Sequence, residues 1–301
     1  MKQILFKIIY NGSVNYIIRS VTKLLHPILP SGLLIPPSGT ISIKNDTGEK
    51  LRIKTNQSSY ITKFIFWNGG YKSFEYTSIF IVLIRRVNTF FDIGANIGYY
   101  SLLASMENPK IGVVGFEPAK GPLFFYKQNV LINRFSNIKV ESIALSHEKG
   151  EIEFFESVNL KYKYLKHNLG GESNAGGKKT DKHFVRSVVK ATTLDDYISK
   201  YKYSDIDLIK MDTEGTEHLI LSKAHIVLSK MKPIIICETL YNSNEEKLEN
   251  IMKSYGYDFY NHTLSGLQKV DTIIRVRDDG VRNCFFVHPT KLPIIEDFLV
   301  K

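Results

Sequence analysis

From residue 88 onward, short apolar runs alternate with helix-patterned stretches, and four of those runs close on a carboxylate. Phe90-Phe91 leads to Asp92, Gly112 to Phe116 leads to Glu117, Leu208 to Met211 leads to Asp212, and Ile234 to Cys237 leads to Glu238. Helices are predicted near 97–106, 121–133, 215–228 and 244–254. A strand buried on both faces reads as a continuous apolar run, and strands alternating with helices require crossover connections. The fold class is therefore α/β: a mostly parallel sheet with helices on both faces. The last stretch, through Leu267 to Val270 and Asn283 to Val287, shows no helical pattern and predicts antiparallel strands closing one edge.

Two segments precede this core. Residues 1–38 form an amphipathic helical extension: Ile4, Leu5, Ile8, Ile9, Ile17, Ile18, Val21, Leu24 and Leu25 recur at helical spacing among Lys2, Lys7, Arg19 and Lys23. No apolar run reaches the roughly 18 residues of a spanning helix, and no small-residue cleavage site follows one. Two readings stand: a helix packed on the body of the protein, or an interfacial helix in peripheral contact with an anionic membrane through residues 1–25. Prolines 27, 30, 36 and 37 end the segment. Residues 39–75 read as a β-rich lead-in, with period-2 alternation over 40–65, and residues 76–301 as the core of a domain spanning 39–301.

The 301 residues are 43% hydrophobic and 23% charged, a balance that builds a core and excludes disordered and fibrous classes. The net charge of +10 is spread over scattered lysines, as on a solvated basic face, although it also permits an acidic partner. Two cysteines, Cys237 and Cys284, lie in no CxxC pair and argue for a reducing, cytoplasmic location.

In an open α/β sheet, ligands bind outside the carboxyl ends of the strands. Four carboxylates at that edge point to a shared cleft; the competing reading is that some cap the following helices. The first turn, Asp92-Ile93-Gly94-Ala95-Asn96-Ile97-Gly98, departs from the dinucleotide fingerprint because Asn96 replaces a glycine and Asp92 closes the strand. A carboxylate there repels phosphate and suits a cofactor carrying an ammonium and a sulfonium, S-adenosylmethionine. Glycines 94 and 98 then admit the methionine end, and Glu117 accepts hydrogen bonds from the ribose hydroxyls.

With these motifs the chain resembles the FkbM family of S-adenosylmethionine-dependent methyltransferases. The resemblance is carried by FDIGANIGYYS (91–101), GFEP (115–118), LDDY (194–197), IDLIKMDTEGTE (206–217) and KPIIICE (232–238). It implies the class I methyltransferase (Rossmann-like) sheet and methylation of a hydroxyl, of a sugar or glycan. The implied cofactor contacts are Glu75, Asp92, Gly94, Ala95, Asn96, Gly98, Glu117, Pro118, Ala144 and Asp212. Glu75 is placed at the cofactor's amino group, although a surface glutamate is the plainer reading, and Ser142-Ile143-Ala144 passes near the adenine.

The stretch Lys210 to Glu217 places three carboxylates and a lysine around a strand-to-helix turn. Asp212 is the candidate beside the acceptor hydroxyl. Glu214 and Glu217 orient substrate, bind a divalent cation, or cap the helix. His218 pairs with Asp212 as a base or faces its own sheet, and Glu238 faces the substrate across the cleft. No histidine shows metal-ligand spacing, so a metal is possible but not expected. The glycine-rich stretch 170–180 fails as a P-loop, having no Ser or Thr after its lysine at the required place. It reads as a loop over the site with Gly171, Ser173 and Asn174 near substrate, or as surface without a role. Trp67 and Tyr71 are candidates to cover an adenine or sugar face, or are core.

Two other functions compete. A nucleic-acid (RNA) methyltransferase is allowed by the charge, but no [DN]PP[YF] tetrad or RNA-binding module is present. A non-catalytic protein of the same fold is opposed by the complete Asp92, Glu117 and Asp212 set. No nucleic-acid partner is expected.

Overall fold

A computed structural model describes residues 1–170 and 183–300. Helices α1 (Lys2–Ile9) and α2 (Gly12–Leu24) come first, the second started by the Asn11 side chain, which accepts from the N–H groups of Ser13 and Val14. A hairpin of β1 (Gly39–Lys44) and β2 (Lys50–Thr55) follows. Helix α3 (Tyr60–Trp67) occupies residues that the strand-like alternation over 40–65 had assigned to the β-rich lead-in. Ser59 decides the difference: its hydroxyl accepts from the Thr62 N–H and opens a helix that buries Thr62 and Ile65, three apart, and Trp67 at its end.

The core runs through α4 (Thr77–Ile84), β3 (Thr89–Ile93), α5 (Tyr99–Glu107), β4 (Gly112–Phe116), α6 (Lys120–Asn133) and β5 (Ile138–Glu141). A small sheet of β6 (Ala144–Leu145), β7 (Gly150–Ser157) and β8 (Phe184–Thr192) interrupts it. The chain then returns through α7 (Leu194–Tyr201), β9 (Leu208–Met211), α8 (Glu217–Leu221), β10 (Ile234–Glu238) and α9 (Glu245–Ser254). It ends with β11 (Asp258–Thr263), β12 (Gly266–Val270), β13 (Asn283–Val287) and α10 (Leu292–Ile295).

The main sheet has eight strands in the order β12-β11-β13-β10-β9-β3-β4-β5. β5, β4, β3, β9 and β10 are parallel, whereas β13 is antiparallel to both β10 and β11. This is the class I methyltransferase order. The antiparallel strand β13 is inserted between two others, and the edge itself is β12, antiparallel to β11. The continuous apolar runs serve two cores at once. Phe90, Val113, Leu208 and Ile236 enter the cluster on one face, and Phe91, Val114, Ile209 and Cys237 enter the cluster on the other.

The hairpin belongs to the first of these clusters, since Ile41, Leu51 and Ile53 are buried there with Leu102 and Leu103 of α5. The amides of α6 finish the exposed edge of β2. Asn129 accepts from the Lys54 N–H, and Asn133 accepts from the Arg52 N–H while donating to the Arg52 carbonyl. These side chains substitute for a neighbouring strand. Among the described residues no helix is long and apolar enough to cross a membrane.

Candidate active site

The parallel strands end together, and the turns that follow them enclose a cleft of about 220 Å³. Its floor is the turn after β3. Gly94 and Ala95 donate their N–H groups to the Phe116 carbonyl, and Asp212 donates its own to the Ile93 carbonyl, which ties the ends of three adjacent strands together. Gly94 is required there: its φ is +72°, and a Cβ at that position would lie 1.9 Å from the Asp212 carbonyl oxygen. Asn96 and Glu214 also have positive φ, and so does Glu75. All three line the cleft, so backbone conformations that ordinary residues rarely adopt gather around it.

Glu117, at the end of β4, is buried, and each of its oxygens already accepts one backbone N–H. Asn96 donates to Oε2 and Ala119 to Oε1, both at 2.8 Å. Burial raises its pKa to about 7 against the opposing pull of those two amides and, more weakly, Lys210. Glu75 is exposed by surface area but stands among the cleft walls, where desolvation and the charge of Asp212 push its pKa upward, although the Tyr100 hydroxyl donates to its Oε2 at 3.0 Å.

Lys210 is the cation of the site. Its ammonium donates to the Gly94 carbonyl at 3.0 Å and lies 3.4 Å from Asp212 Oδ2 and 3.8 Å from Asp92 Oδ1. Burial alone would lower its pKa, but the charges of Asp212, Asp92 and Glu75 outweigh that and hold it above the ordinary lysine value. At Glu238 the same Lys210 charge compensates too weakly. One of its oxygens is buried without a hydrogen-bond partner, and burial with the charges of Asp212, Glu214 and Glu217 pushes its pKa up to about 10. That direction favours its neutral form, which is a donor rather than a base.

Asp212 is the contrasting carboxylate, with its side chain 43% exposed and its charge balanced by Lys210. Oxygens of Asp212, Glu214 and Glu238 lie within 4.8 Å of one another, a spacing that a divalent cation also accepts.

Of the residues expected to contact cofactor, Glu75, Gly94, Ala95, Asn96, Glu117, Pro118, Ala144 and Asp212 line the cleft. Asp92 and Gly98 stand behind it. Asp92 is 1% exposed and accepts from both the N–H and the hydroxyl of Ser101, so it locks the start of α5 and lies beside Lys210. Gly98 has φ +81°, and a Cβ there would meet the Tyr126 ring at 2.1 Å.

Of the residues expected near the chemistry, Asp212, Glu214 and Glu238 come together, and Glu217 and His218 do not. Glu217 is fully buried and clamps the turn that carries Asp212. Its Oε1 accepts from the N–H and hydroxyl of Thr213 and the N–H of Gly215, and its Oε2 accepts from the Asn244 amide. The N–H groups it holds belong to the turn before α8, and the N-terminus of α8 itself has no side-chain cap. His218 is half-buried with its pKa lowered by burial, and it is not among the residues that line the cleft.

Trp67 and Tyr71 lie elsewhere, in a separate cleft between α2, β1 and α3. The Trp67 indole donates to the Ile35 carbonyl and stacks on His26, so it fastens the N-terminal segment. Neither covers the candidate site. Gly171, Ser173 and Asn174 lie outside the described residues.

Several lining residues lie outside the recognised motifs, namely Tyr60, Phe74, Phe154 and Leu169, while Tyr99 and Tyr100 lie inside the 91–101 motif but carry no assigned role there. Tertiary packing brings them to the cleft, Tyr60 from α3, Tyr99 and Tyr100 from α5, Phe154 from β7, and Phe74 and Leu169 from the connecting segments. Lys210 was within the recognised stretch but unassigned; its place between two carboxylates in sequence, on a strand that ends at the cleft, was the available signal.

The residues fit a cofactor with a cationic methionine end. The turn is bare at Gly94, acidic groups surround it, and a buried acceptor stands at the end of the second strand. This fold and this site define an S-adenosylmethionine-dependent methyltransferase. The FkbM methyltransferase domain matches residues 92–259, and the chain belongs to that family.

Among similar proteins, 31-O-demethyl-FK506 methyltransferase FkbM of Streptomyces tacrolimicus is 28% identical over 184 residues, covering 52% of this chain and 69% of its own. Methyltransferase sdnD of Sordaria araneosa is 28% identical over 188 residues, covering 56% and 72%. A crystal structure of methyltransferase FkbM from Methylobacillus flagellatus superposes with a TM-score of 0.41 at 20% identity, covering 67% of this chain and 43% of that one.

Proposed function

We propose that the protein transfers a methyl group from S-adenosylmethionine to a hydroxyl of a polyhydroxylated acceptor, a sugar or glycan. The observation that carries this reading is the geometry at the strand ends, where Asp212 is paired with the Lys210 ammonium at 3.4 Å while one Glu238 oxygen is buried without a hydrogen-bond partner. When bound, S-adenosylmethionine supplies an electrophilic methyl group on a sulfonium centre. The chain's residues do the rest. Glu75 and the backbone at Gly94 hold the cationic end, Glu117 accepts the ribose hydroxyls, and Ile143, Ala144 and Leu145 wall the adenine side.

For the acceptor, Asp212 Oδ takes the hydroxyl proton, and the Lys210 ammonium 3.4 Å away steadies the carboxylate before and after. Glu238, as a donor, orients the acceptor by a hydrogen bond. Aromatic rings of Tyr60, Phe74, Tyr99 and Phe154 beside carboxylates form the mixed surface that sugars use, with ring faces on apolar patches and carboxylates on hydroxyls. The carboxylates of Asp212 and Glu214 at the cleft oppose a phosphate backbone, which weighs against the RNA reading. A relative named for acting on 31-O-demethyl-FK506 supports oxygen as the acceptor atom.

The test is transfer of labelled methyl from S-adenosylmethionine across a panel of sugars, small alcohols and RNA. Label in a sugar hydroxyl, lost in Asp212→Asn with cofactor binding retained, supports the reading; label in RNA alone overturns the acceptor class.

A further inference from the structure

Helix α2 is attached to the body by its polar side. Asn15 is fully buried: its side-chain oxygen accepts from the Ser38 N–H at 2.7 Å, and its amide donates to the Pro36 carbonyl at 3.3 Å. Arg19, one turn on and 3% exposed, donates to the carbonyls of Ser38 and Thr40. The apolar side is left outside. Ile17, Val21 and Leu24 recur at four and three residues and are 63%, 54% and 84% exposed. Helix α1 repeats the arrangement: Phe6 turns in against Tyr162, while Ile4, Leu5 and Ile8 are 65%, 54% and 55% exposed.

A surface helix of a globular protein buries its apolar stripe and shows its polar face. This pair does the reverse. Eleven of the 25 exposed large hydrophobic residues among those described lie in the first 33 positions. The sequence alone left two readings open, a helix packed on the body or one at an interface; the contacts show a helix that packs and still leaves its apolar stripe uncovered.

Charge says what covers it. The first acidic residue of the sequence is Asp46, so the whole segment carries only positive charge, and Lys2, Lys7 and Lys23 are all exposed. Isoleucine, valine and leucine flanked by lysines, on helices of eight and 13 residues, are suited to lie in the headgroup region with the apolar side among acyl chains. Neither helix is long and apolar enough to cross a membrane. We infer that α1 and α2 dock the protein, in plane, on an anionic lipid surface, and that Asn15 and Arg19 set this orientation by fastening the polar side to the hairpin. Uniform positive charge works against the same face pairing with a second copy of itself.

The test is flotation of the full chain with vesicles of phosphatidylcholine alone and of phosphatidylcholine mixed with phosphatidylglycerol, alongside light scattering for oligomeric state. Binding is expected on the mixed vesicles, weakened by salt, and reduced at least about tenfold by Ile17→Glu with Val21→Glu. Both positions are exposed, so that variant keeps its melting temperature and its cofactor affinity. Lys2→Gln with Lys7→Gln should weaken binding to the mixed vesicles while leaving the apolar face intact. No flotation on the mixed vesicles, or equal flotation of the Ile17 and Val21 variant, overturns the inference. So does a dimer in solution that the same variant dissociates, because the face would then be covered by a second copy.

Discussion

Glu117→Gln changes one atom at the position where the site's electrostatics are clearest. Both oxygens of the wild-type side chain accept a backbone N–H at 2.8 Å. Glutamine keeps one acceptor and points an N–H at the other donor, which costs about 1–3 kcal/mol. The substitution also removes a penalty. A carboxyl raised from 4.5 to about 7 opposes folding by roughly 3 kcal/mol once it is ionised. These nearly cancel, so stability at about pH 8 should change by no more than about 1–2 kcal/mol. Cofactor binding has no such compensation: loss of a charged acceptor for the ribose hydroxyls costs about 1.5–3 kcal/mol, or roughly ten- to 150-fold in Kd.

The pH dependences run in opposite directions. Glu117 has a raised folded-state pKa, so its stabilising contribution is full below about 4.5 and is lost as pH rises through about 7. Cofactor affinity needs the ionised form and should fall as pH drops through about 7. Equilibrium dialysis with labelled S-adenosylmethionine at about pH 6 and about pH 8, with thermal melts in parallel, reads both effects. A variant Kd within about twofold of wild type at about pH 8, or a wild-type affinity that does not weaken toward about pH 6, would refute the reasoning.

Other perturbations separate structure from chemistry. Gly94→Ala combines a positive φ with a Cβ 1.9 Å from the Asp212 carbonyl, and should cost at least about 2 kcal/mol in a denaturant melt along with cofactor binding; a fully stable variant would contradict the close approach. Lys210→Met strands Asp92 and Asp212, for an expected loss of about 3–5 kcal/mol by chemical denaturation, and an unchanged midpoint would show that the cation does not balance them. Glu217→Gln should lower stability by about 1–3 kcal/mol and disturb turnover through the loop, whereas His218→Ala should leave single-turnover transfer within about threefold of wild type; transfer lost in the histidine variant would return it to the chemistry.

What the sequence made legible was whatever repeats along it or closes an element. The apolar runs ending in Asp92, Glu117, Asp212 and Glu238 announced the sheet and its functional edge, because a strand buried on both faces has to be apolar until it emerges. The turn at Gly94 was readable because its backbone geometry excludes other residues. Three things were not. The helix at Tyr60–Trp67 was concealed by β-branched and aromatic residues whose alternation also suits a strand. The aromatic walls from Tyr60, Phe74 and Phe154 depend on packing between distant segments. The division of roles among the carboxylates was hidden for the same reason. Asp212, Glu217 and Glu238 are the same chemistry in sequence, and only burial and partners make one a balanced anion, one a loop clamp and one a neutral acid. The sequence also named Trp67 as a possible ligand contact when its indole is taken by the Ile35 carbonyl.

The central claim is that the cleft takes a sulfonium cofactor and not a dinucleotide. Calorimetric titration of the purified protein with S-adenosylmethionine, S-adenosylhomocysteine and NAD tests it directly. Saturable binding of the first two and no heat from NAD are expected; NAD binding more tightly than S-adenosylmethionine would contradict a sulfonium site.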